Sequence, residues 1–596
     1  MWWRRPRVAL IVVTLVVAGC AVWWWRSSAS SRPPDILLIS VDTLRADHLG
    51  CYGYGLRTPN IDRLAAEGVV FEAAMAPVPL TLPSHASMLT GLIPPRHGVR
   101  ANGDFRLPDR IETLAEVLQK RGYQTAAFIG AIPLDRSGGL NQGFDHYDDE
   151  ISVQSVDAEK EVQRKERFAN EVFDLAAAWL RETDPQRPVF AFVHVFDPHA
   201  PGMQALPGMD TPSYDGEIHF VDRAMGPLLS GLRRDPRWTS LVTVFTADHG
   251  EGLNDHQEET HGMFVYESTL HVPLIVHGVK GVSPRRIRET VGVVDIGPTL
   301  LELAGAEAWT DVDGRSLVGT LDGEASESRD YYFESLYPSL RFGWSPLRGI
   351  RRGSTKYIQA PRPELYELAS DPGELKNLYE QKGSVTVSAF VAELDAIGEG
   401  LRSPLAGSPN RANQAALESL GYVSAPSVVA DPDRQLLDPK DQIDVIKRFR
   451  AARQEFLKGR LNESLRIYAS LEESLKGSPR FYEKWGTAAS RARKWDSANE
   501  IFRKGLSLDP TAEHLRLNLA LGLWKANHPE AAEREFETLL RQNPDHARAH
   551  LHAGRLKRDR LRDPAGAADH FRRFLELAPD DAEADVVRKD LADVNG

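Results

Sequence analysis

The hydrophobic pattern of residues 33 to about 400 alternates between short apolar runs and longer amphipathic segments. Three of the runs are DILLISVD, PVFAFVHVFD and LVTVFTADHG, which are rich in Val, Ile and Phe. Such runs are typical of strands buried on both faces, as in a parallel sheet. One intervening helix should begin at Thr58-Pro59 and end at Gly68, and EVQRKERFANEVFDLAAAWLRE is a longer amphipathic one. The pattern predicts an α/β domain with helices on both faces of a mostly parallel sheet.

The pattern changes in residues 441–596, which are helical and repetitive. Small residues, aromatic residues four positions later, and prolines recur in one register, with the aromatic residues 34, 34 and 35 positions apart. The small residues are Ser464, Ala498, Ala532 and Ala567, the aromatic residues are Tyr468, Phe502, Phe536 and Phe571, and the prolines are Pro510, Pro544 and Pro579. This pattern resembles an all-α tetratricopeptide solenoid of about four helix pairs, in which the aromatic residues are structural. We expect the repeats to bind a protein partner.

A linker separates the two patterns. Residues 401–440 are rich in Pro, Ser, Ala and Asp, with one short helix expected around QAALESLGY. A chain of 596 residues is too long for one ordinary domain. We therefore divide it into an N-terminal segment (1–32), a catalytic α/β domain (33–400), a linker (401–440) and a repeat domain (441–596).

The N-terminal segment reads as a membrane helix. Arg4, Arg5 and Arg7 precede an uncharged run over residues 8–25, at the short end of the length that spans a bilayer. The basic flank should stay cytoplasmic, which places the body outside the cytoplasm, on the periplasmic or cell-surface side. A cleaved signal peptide is the alternative, and the residues ending at Cys20 resemble a bacterial lipoprotein box. Hydrophobicity that continues past Cys20 favours an uncleaved anchor.

Composition and charge narrow the partners. The chain is 42% apolar and 26% charged, as expected of a folded globular protein. Its net charge of -12 argues against nucleic acid as a partner. The two cysteines, Cys20 and Cys51, exclude a disulfide framework and a thiolate metal cluster.

Acidic residues and histidines follow the three apolar runs. The first run ends at Asp42, the second at Asp197-Pro198-His199 and the third at Asp248-His249. If the strands are parallel, these ends meet on the edge of the sheet where α/β proteins place their functional crevice. Carboxylates and imidazoles together suit a divalent metal. We predict that Asp42, Asp248 and His249 hold one.

The segment TLPSHASMLT, which begins at Thr81, supplies a candidate nucleophile. Pro83 is tolerated in a first helical turn, so Thr81 should lie at or beside the helix N-cap, where free N–H groups favour an oxyanion. A threonine hydroxyl is a poor nucleophile, but a coordinated metal lowers the pKa of a bound oxygen. We predict Thr81 as fourth metal ligand and nucleophile. From local sequence alone, a helix cap with no further role is the alternative.

Five sequence blocks carry a family resemblance. LLISVDTLRADHLGCYGY, TPNIDRLAAEG, TLPSHASMLTGLIPPRHGVRANG, TADHGEGL and ELYELASDPGELKNL occur in the order expected of sulfatases. Over residues 35 to 380 the chain thus resembles the sulfatase-like family of the alkaline-phosphatase superfamily, which implies a metal-dependent ester hydrolase.

The chain departs from the sulfatase pattern at several positions. A sulfatase motif would read Cys or Ser, x, Pro, Ser, Arg, and its Cys or Ser becomes formylglycine. Here Thr81 and His85 occupy the first and last places, and threonine cannot undergo that conversion. The expected Asp-Asp and Asp-Asn metal pairs are Asp42-Thr43 and Asp248-His249. The expected Lys-x-His motif is absent from FIGAIPL.

These departures resemble two related groups. A threonine nucleophile with an Asp-His pair is similar to nucleotide pyrophosphatases and phosphodiesterases, and to the phosphoethanolamine and phosphoglycerol transferases of bacterial envelopes. His261, twelve residues after His249, and His199 correspond to substrate-side histidines of those transferases. Asn102 corresponds to a phosphate-binding asparagine of the phosphodiesterases. An imidazole ligand suits zinc or manganese better than calcium.

We therefore predict a metal-dependent hydrolase of phosphoric or sulfuric esters, in which His85, Asn102, His199 and His261 steady the transferring group. An envelope head-group transferase is the first alternative, although such enzymes usually have several membrane spans. The second is a non-catalytic scaffold in which the repeats are the working part.

Overall fold

The structure, a computed structural model, describes residues 32–103, 105–151, 167–199, 213–324, 328–399, 436–579 and 581–595. The predicted membrane segment up to residue 31, including Cys20, lies outside the described residues, as does linker segment 400–435 with its short helix. Within the described ranges, no helix has both the length and the apolar character needed to cross a bilayer.

The strands and helices of the described ranges have the following bounds. The strands are β1 Ile36–Val41, β2 Val69–Met75, β3 Gln124–Ile129, β4 His146–Asp148, β5 Val189–Val195, β6 Val242–Ala247, β7 His271–His277, β8 Arg285–Gly292, β9 Asp330–Ser335, β10 Leu347–Arg352, β11 Thr355–Gln359 and β12 Glu364–Glu367. The helices of the α/β domain are α1 Pro59–Glu67, α2 Thr81–Thr90, α3 Pro94–His97, α4 Leu114–Lys120, α5 Ala169–Glu182, α6 Tyr214–Arg234, α7 Glu267–Leu270, α8 Ile296–Leu303, α9 Val318–Asp322, α10 Tyr337–Phe342 and α11 Tyr379–Glu399. The C-terminal helices are α12 Ile443–Leu457, α13 Leu461–Ala469, α14 Glu472–Leu475, α15 Pro479–Arg491, α16 Trp495–Leu508, α17 Glu513–Lys525, α18 Pro529–Gln542, α19 Ala547–Leu556, α20 Pro564–Leu577 and α21 Ala584–Asn595.

The three apolar runs form the centre of the main sheet. Its strand order over the described residues is β4-β3-β5-β1-β6-β7-β2-β8, and β1 lies parallel to both β5 and β6. Every residue of β1, β5 and β6 is buried, so both faces of this region are covered. The prediction of a mostly parallel sheet is confirmed, with β7 antiparallel to its neighbours β6 and β2.

A second sheet was not predicted. Strands β9 to β12 form an antiparallel sheet in the order β12-β11-β10-β9. Phe390 and Leu394 of α11 lie in one apolar cluster with Ile350 and Tyr357 of this sheet. The sequence LRGIRR of β10 contains three arginines, which interrupt the apolar pattern that would otherwise indicate a strand.

The C-terminal helices form the predicted antiparallel pairs. They pair as α12 with α13, α15 with α16, α17 with α18, and α19 with α20, and α21 follows. All eight small and aromatic register residues are buried, which confirms their structural role. Gly486 of α15 shows the closeness of the packing, since a Cβ there would lie 2.3 Å from Cε1 of Phe502.

The first repeats pack directly on the α/β domain. The indole Nε1 of Trp344, just after α10, donates to the Ser474 carbonyl (3.0 Å), and the Ser478 hydroxyl donates to the Arg341 carbonyl (2.6 Å). Arg450 of α12 donates to the Thr260 hydroxyl at 3.2 Å. The repeat array therefore starts at the surface of the domain.

Candidate metal centre and nucleophile

Three ligand-type side chains meet at the carboxyl ends of β1 and β6. Asp42 directly follows β1, and Asp248 and His249 directly follow β6. The structure brings one ligand atom from each within 4.8 Å of the others, and all three side chains are fully buried. Nε2 of His249 lies 3.8 Å from Oδ1 of Asp42 and 3.6 Å from Oδ2 of Asp248. The three predicted protein ligands are therefore assembled.

The hydrogen bonds of this triad fit a divalent cation. Nδ1 of His249 lies 2.9 Å from the Gly250 carbonyl, which only accepts, so Nδ1 carries the proton and Nε2 presents a lone pair. That lone pair faces the two carboxylates. Three electron-rich atoms buried together repel one another unless a cation or proton lies among them. Such a carboxylate and imidazole set suits zinc or manganese.

Thr81 lies beside the triad. It is the first residue of α2, and Leu80 holds the N-cap position without a side-chain hydrogen bond. Its carbonyl accepts from Nδ1 of His85 at 2.8 Å, and that nitrogen lies 3.8 Å from Oδ2 of Asp248. The hydroxyl is fully buried and has no hydrogen-bond partner within the described part of the chain. Thr81 is thus not a side-chain cap, and its hydroxyl is uncommitted.

His85 holds Thr81 rather than facing solvent. Because Nδ1 donates to the Thr81 carbonyl, Nε2 accepts from the Ser40 hydroxyl at 2.8 Å. Burial lowers the pKa of His85 to about 3, so the ring is neutral at physiological pH. In this conformation both ring nitrogens are bound to protein groups, which makes His85 a positioning residue for Thr81.

His194 belongs to the site and was missed by sequence reasoning. Its side chain is fully buried, with Nε2 3.6 Å from Oδ2 of Asp42 and its ring centroid 4.8 Å from that of His85. Burial lowers its pKa to about 4. The available signal was the register: Ser40 of β1 lies opposite His194 of β5 and Thr246 of β6, so three polar residues line up two or fewer positions before the strand ends.

Asn102 lies at the N-terminus of α2. Its Oδ1 accepts from the backbone N–H of Leu82 at 2.8 Å, so it supplies the cap that Leu80 lacks. Its Nδ2 is buried and has no hydrogen-bond partner among the described residues. The amide is thus anchored on one side and offers a donor next to Thr81, as binding of a substrate oxygen requires.

His199 and His261 stand together at the edge of the site. Their ring centroids are 5.0 Å apart, and that of His261 is 4.5 Å from that of His249. His261 Nδ1 lies 3.1 Å from the buried carboxylate of Glu251, which orients the ring. The ring of His199 stacks on Phe196 at 4.4 Å.

Asp197 serves a structural purpose instead. Its carboxylate accepts from the backbone N–H of Ala169 at 2.8 Å, at the first residue of α5. The acid that follows the second apolar run therefore caps a helix. Histidine, not this carboxylate, is what β5 and its following turn bring to the site.

Family models match most of this chain in consecutive segments. The model described as Sulfatase matches residues 34–306, and the one described as N-sulphoglucosamine sulphohydrolase, C-terminal, matches residues 260–396. A Tetratricopeptide repeat model matches residues 517–582.

Individual proteins give the same result. Delta 4,5-hexuronate-2-O-sulfatase of Bacteroides thetaiotaomicron is 26% identical, with 58% of this chain and 84% of that protein aligned. A solved structure described as a complex with D-glucosamine-2-N,6-O-disulfate is 21% identical, with a TM-score of 0.52, covering 62% of this chain and 98% of that one. Phosphonate monoester hydrolase of Agrobacterium radiobacter is 23% identical, with a TM-score of 0.50, covering 63% of this chain and all (100%) of that one.

Proposed function

From the premise that residues 34–396 are a sulfatase-family domain of the alkaline-phosphatase superfamily, we propose that this domain hydrolyses phosphoric or sulfuric esters with Thr81 as nucleophile. The observation that carries the proposal is the buried, uncommitted Thr81 hydroxyl beside the Asp42, Asp248 and His249 triad. A threonine nucleophile favours phosphorus over sulfur as the atom attacked.

Each residue of the site has a role in this proposal. Asp42, Asp248 and His249 hold the divalent metal, with Thr81 as fourth ligand. The metal, when bound, lowers the pKa of the Thr81 hydroxyl and offsets negative charge on the ester oxygens. His85 orients Thr81 through its backbone carbonyl.

The reaction runs in two steps at Thr81. Its Oγ1 forms a bond to phosphorus or sulfur while the bond to the leaving alcohol breaks, and Asn102 Nδ2 donates to a non-bridging oxygen. His199 or His261 delivers the proton that the leaving alcohol needs. Water then cleaves the ester formed at Thr81 and restores the hydroxyl.

The two alternatives predict different results. A transferase would use the same Thr81 step but pass the group to an alcohol acceptor, so a modified acceptor rather than free head group would accumulate. A scaffold has no need to bury two carboxylates and an imidazole lone pair together, since this costs folding energy without a cation. The assembled triad therefore supports the enzymatic reading.

The test is metal analysis of the purified full chain, together with turnover of an aryl sulfate, a phosphate monoester, a phosphate diester and a phosphonate ester. We expect bound zinc or manganese, turnover of at least one ester, and loss of turnover in chelator that zinc or manganese restores. Metal-loaded protein that turns over none of the four esters would contradict the proposal.

The sequence of residues 1–32 supports placing this domain outside the cytoplasm on a membrane anchor, with a protein partner on the repeats. Membrane fractionation with and without high salt, followed by protease treatment of intact cells, tests the anchor and its orientation. Release by salt, or protection from protease in cells with a permeabilised outer barrier, would reject it.

A further inference from the structure

A cavity lies between the sulfatase-family domain and the first repeat helix. Its volume is about 380 Å³, and both units line it. His199 and His261 form part of its wall on the domain side, and α12 forms the opposite wall. Because His261 also contacts His249, the cavity opens beside the metal ligands. It lies where the part of an ester beyond the reacting group would extend.

Much of the wall is apolar and comes from both units. Met263, Phe264 and Phe342 belong to the domain, and Ile446 and Phe449 belong to α12. The rings of Phe342 and Phe449 meet edge to face at 6.0 Å. A ligand in this cavity would therefore bury apolar or aromatic surface against both units.

The charged groups on the wall have a positive excess. Those among the described lining residues are Arg341, Lys447, Arg450, Arg453, Glu258 and Glu259. Glu259 pairs with Arg450. Burial raises the pKa of Glu258 to about 8, so this side chain is mostly uncharged at neutral pH. Burial, together with the neighbouring arginines, lowers the pKa of Arg341 to about 10. An anion would relieve this excess.

The helix that closes the cavity is fixed in place. Arg450 contacts both Glu259 and Thr260 of the domain, and Phe449 packs on Phe342. Trp344 and Ser478 add the hydrogen bonds of the interface described above. The arginine and lysine side chains of α12 are thus held at the cavity by a packed interface.

We infer that this cavity binds the leaving group of the substrate ester, and that this group carries an anionic substituent on an apolar or aromatic body. In this assignment α12 determines specificity, with Arg453 and Lys447 contacting the anion. The inference rests on the proposed function and extends it to a substrate class. It also gives the repeat array a direct part in substrate recognition.

Matched esters test the assignment in the full chain. The probes are the 2-naphthyl ester of whichever acid the protein hydrolyses and the same ester with a 6-carboxylate. We expect kcat/KM to be at least about tenfold higher for the carboxylated ester. Arg453→Gln should lower the ratio of the two kcat/KM values by about tenfold, mainly through KM. Lys447→Gln provides a second variant if Arg453→Gln fails to fold.

Arg448→Gln is the control, because Arg448 lies on the same helix, is exposed and contacts Ser470 rather than the cavity. It should leave the ratio unchanged. A 6-sulfonate ester shows whether the site selects carboxylate or any anion. Equal kcat/KM for charged and neutral esters in the wild type, or equal ratios in wild type, Arg453→Gln and Lys447→Gln, would overturn the assignment.

Calorimetry separates this inference from the proposed function. Metal-loaded full chain should bind 6-hydroxy-2-naphthoate at least about tenfold more tightly than 2-naphthol, and Arg453→Gln should remove the difference. If the wild type hydrolyses neither ester, the proposed function fails, and these affinities alone decide the inference. Equal affinities for the two alcohols would reject it.

Discussion

Two buried imidazoles on either side of Asp248 commit their nitrogens differently. His85 binds protein groups through both nitrogens, whereas His249 uses only Nδ1 and turns Nε2 toward Asp42 and Asp248. The first arrangement positions a neighbour, and the second provides a metal ligand. The same residue type thus takes two roles because one ring meets a hydroxyl and the other meets carboxylates.

Thr81 gives the sharpest prediction at this scale. Thr81→Ala removes the only atom that can attack the ester, so we expect kcat/KM to fall by at least about a thousandfold. Thr81→Ser retains a hydroxyl and should keep measurable activity. Metal content should stay measurable in both variants, because Asp42, Asp248 and His249 remain. Steady-state kinetics with parallel metal analysis checks this, and full turnover by Thr81→Ala would contradict it.

Glu258 predicts a pH-dependent stability. Its pKa is raised to about 8 by burial from an ordinary value of 4.5, so the folded chain keeps a proton that the unfolded chain releases. This contribution is fully present below pH 4.5 and is lost as the pH rises through 8. Glu258→Gln stays neutral and should lose less stability between pH 5 and pH 9.

Thermal unfolding of both proteins at pH 5 and pH 9, in the same salt, measures the difference. The backbone N–H groups of Met263 and Phe264 still find an acceptor in the glutamine, and the nearby Glu251 and Arg450 are common to both proteins. A melting-temperature difference that does not change with pH would rule out titration of Glu258.

At the scale of elements, the parts with strong periodicity were predictable. The continuous apolar runs identified β1, β5 and β6, and the 34-residue spacing identified the helix pairs. The metal ligands followed, since acids at the ends of parallel strands must meet. Helix α5 begins at Ala169 among the described residues, although its amphipathic pattern starts at residue 161.

Other features depended on contacts that no local pattern contains. His194 lies inside an apolar strand and was not distinguished from core residues. The capping of α2 by Asn102 joins residues twenty positions apart, and β10 lacked an apolar pattern. The cavity wall formed by α12 depends on how two separately recognisable units pack.

Glycines in two helices make a matched pair for testing the repeat packing. Gly486→Ala in α15 places a methyl group against the Phe502 ring and should cost about 1–3 kcal/mol. Gly231→Ala in α6 meets no atom within 4 Å and should stabilise its helix by up to about 1 kcal/mol. Chemical denaturation of both variants should therefore show changes of opposite sign. Changes of the same sign would show that the array adjusts to the added group.

At the scale of the whole molecule, the two units share a packed interface rather than a tether alone. Trp344 is 1% exposed, stacks on Phe342 at 4.5 Å and donates to the carbonyl of Ser474. Such an interface couples the unfolding of the repeats to that of the sulfatase-family domain.

Trp344→Ala should uncouple them. Loss of the buried indole costs about 3–5 kcal/mol, and we expect the single calorimetric transition of the wild type to separate into two. Trp344→Phe keeps most of the apolar contact and loses only the N–H donor, so it should retain one transition. Two transitions already in the wild type would show that the units unfold independently.

The position of α12 also restricts how this chain can be rearranged. An array borrowed from another protein would still fold, but it would leave one side of the reaction chamber open to water. Recombination that exchanges the C-terminal half would therefore change which molecules are accepted, even with every ligand of the ion untouched.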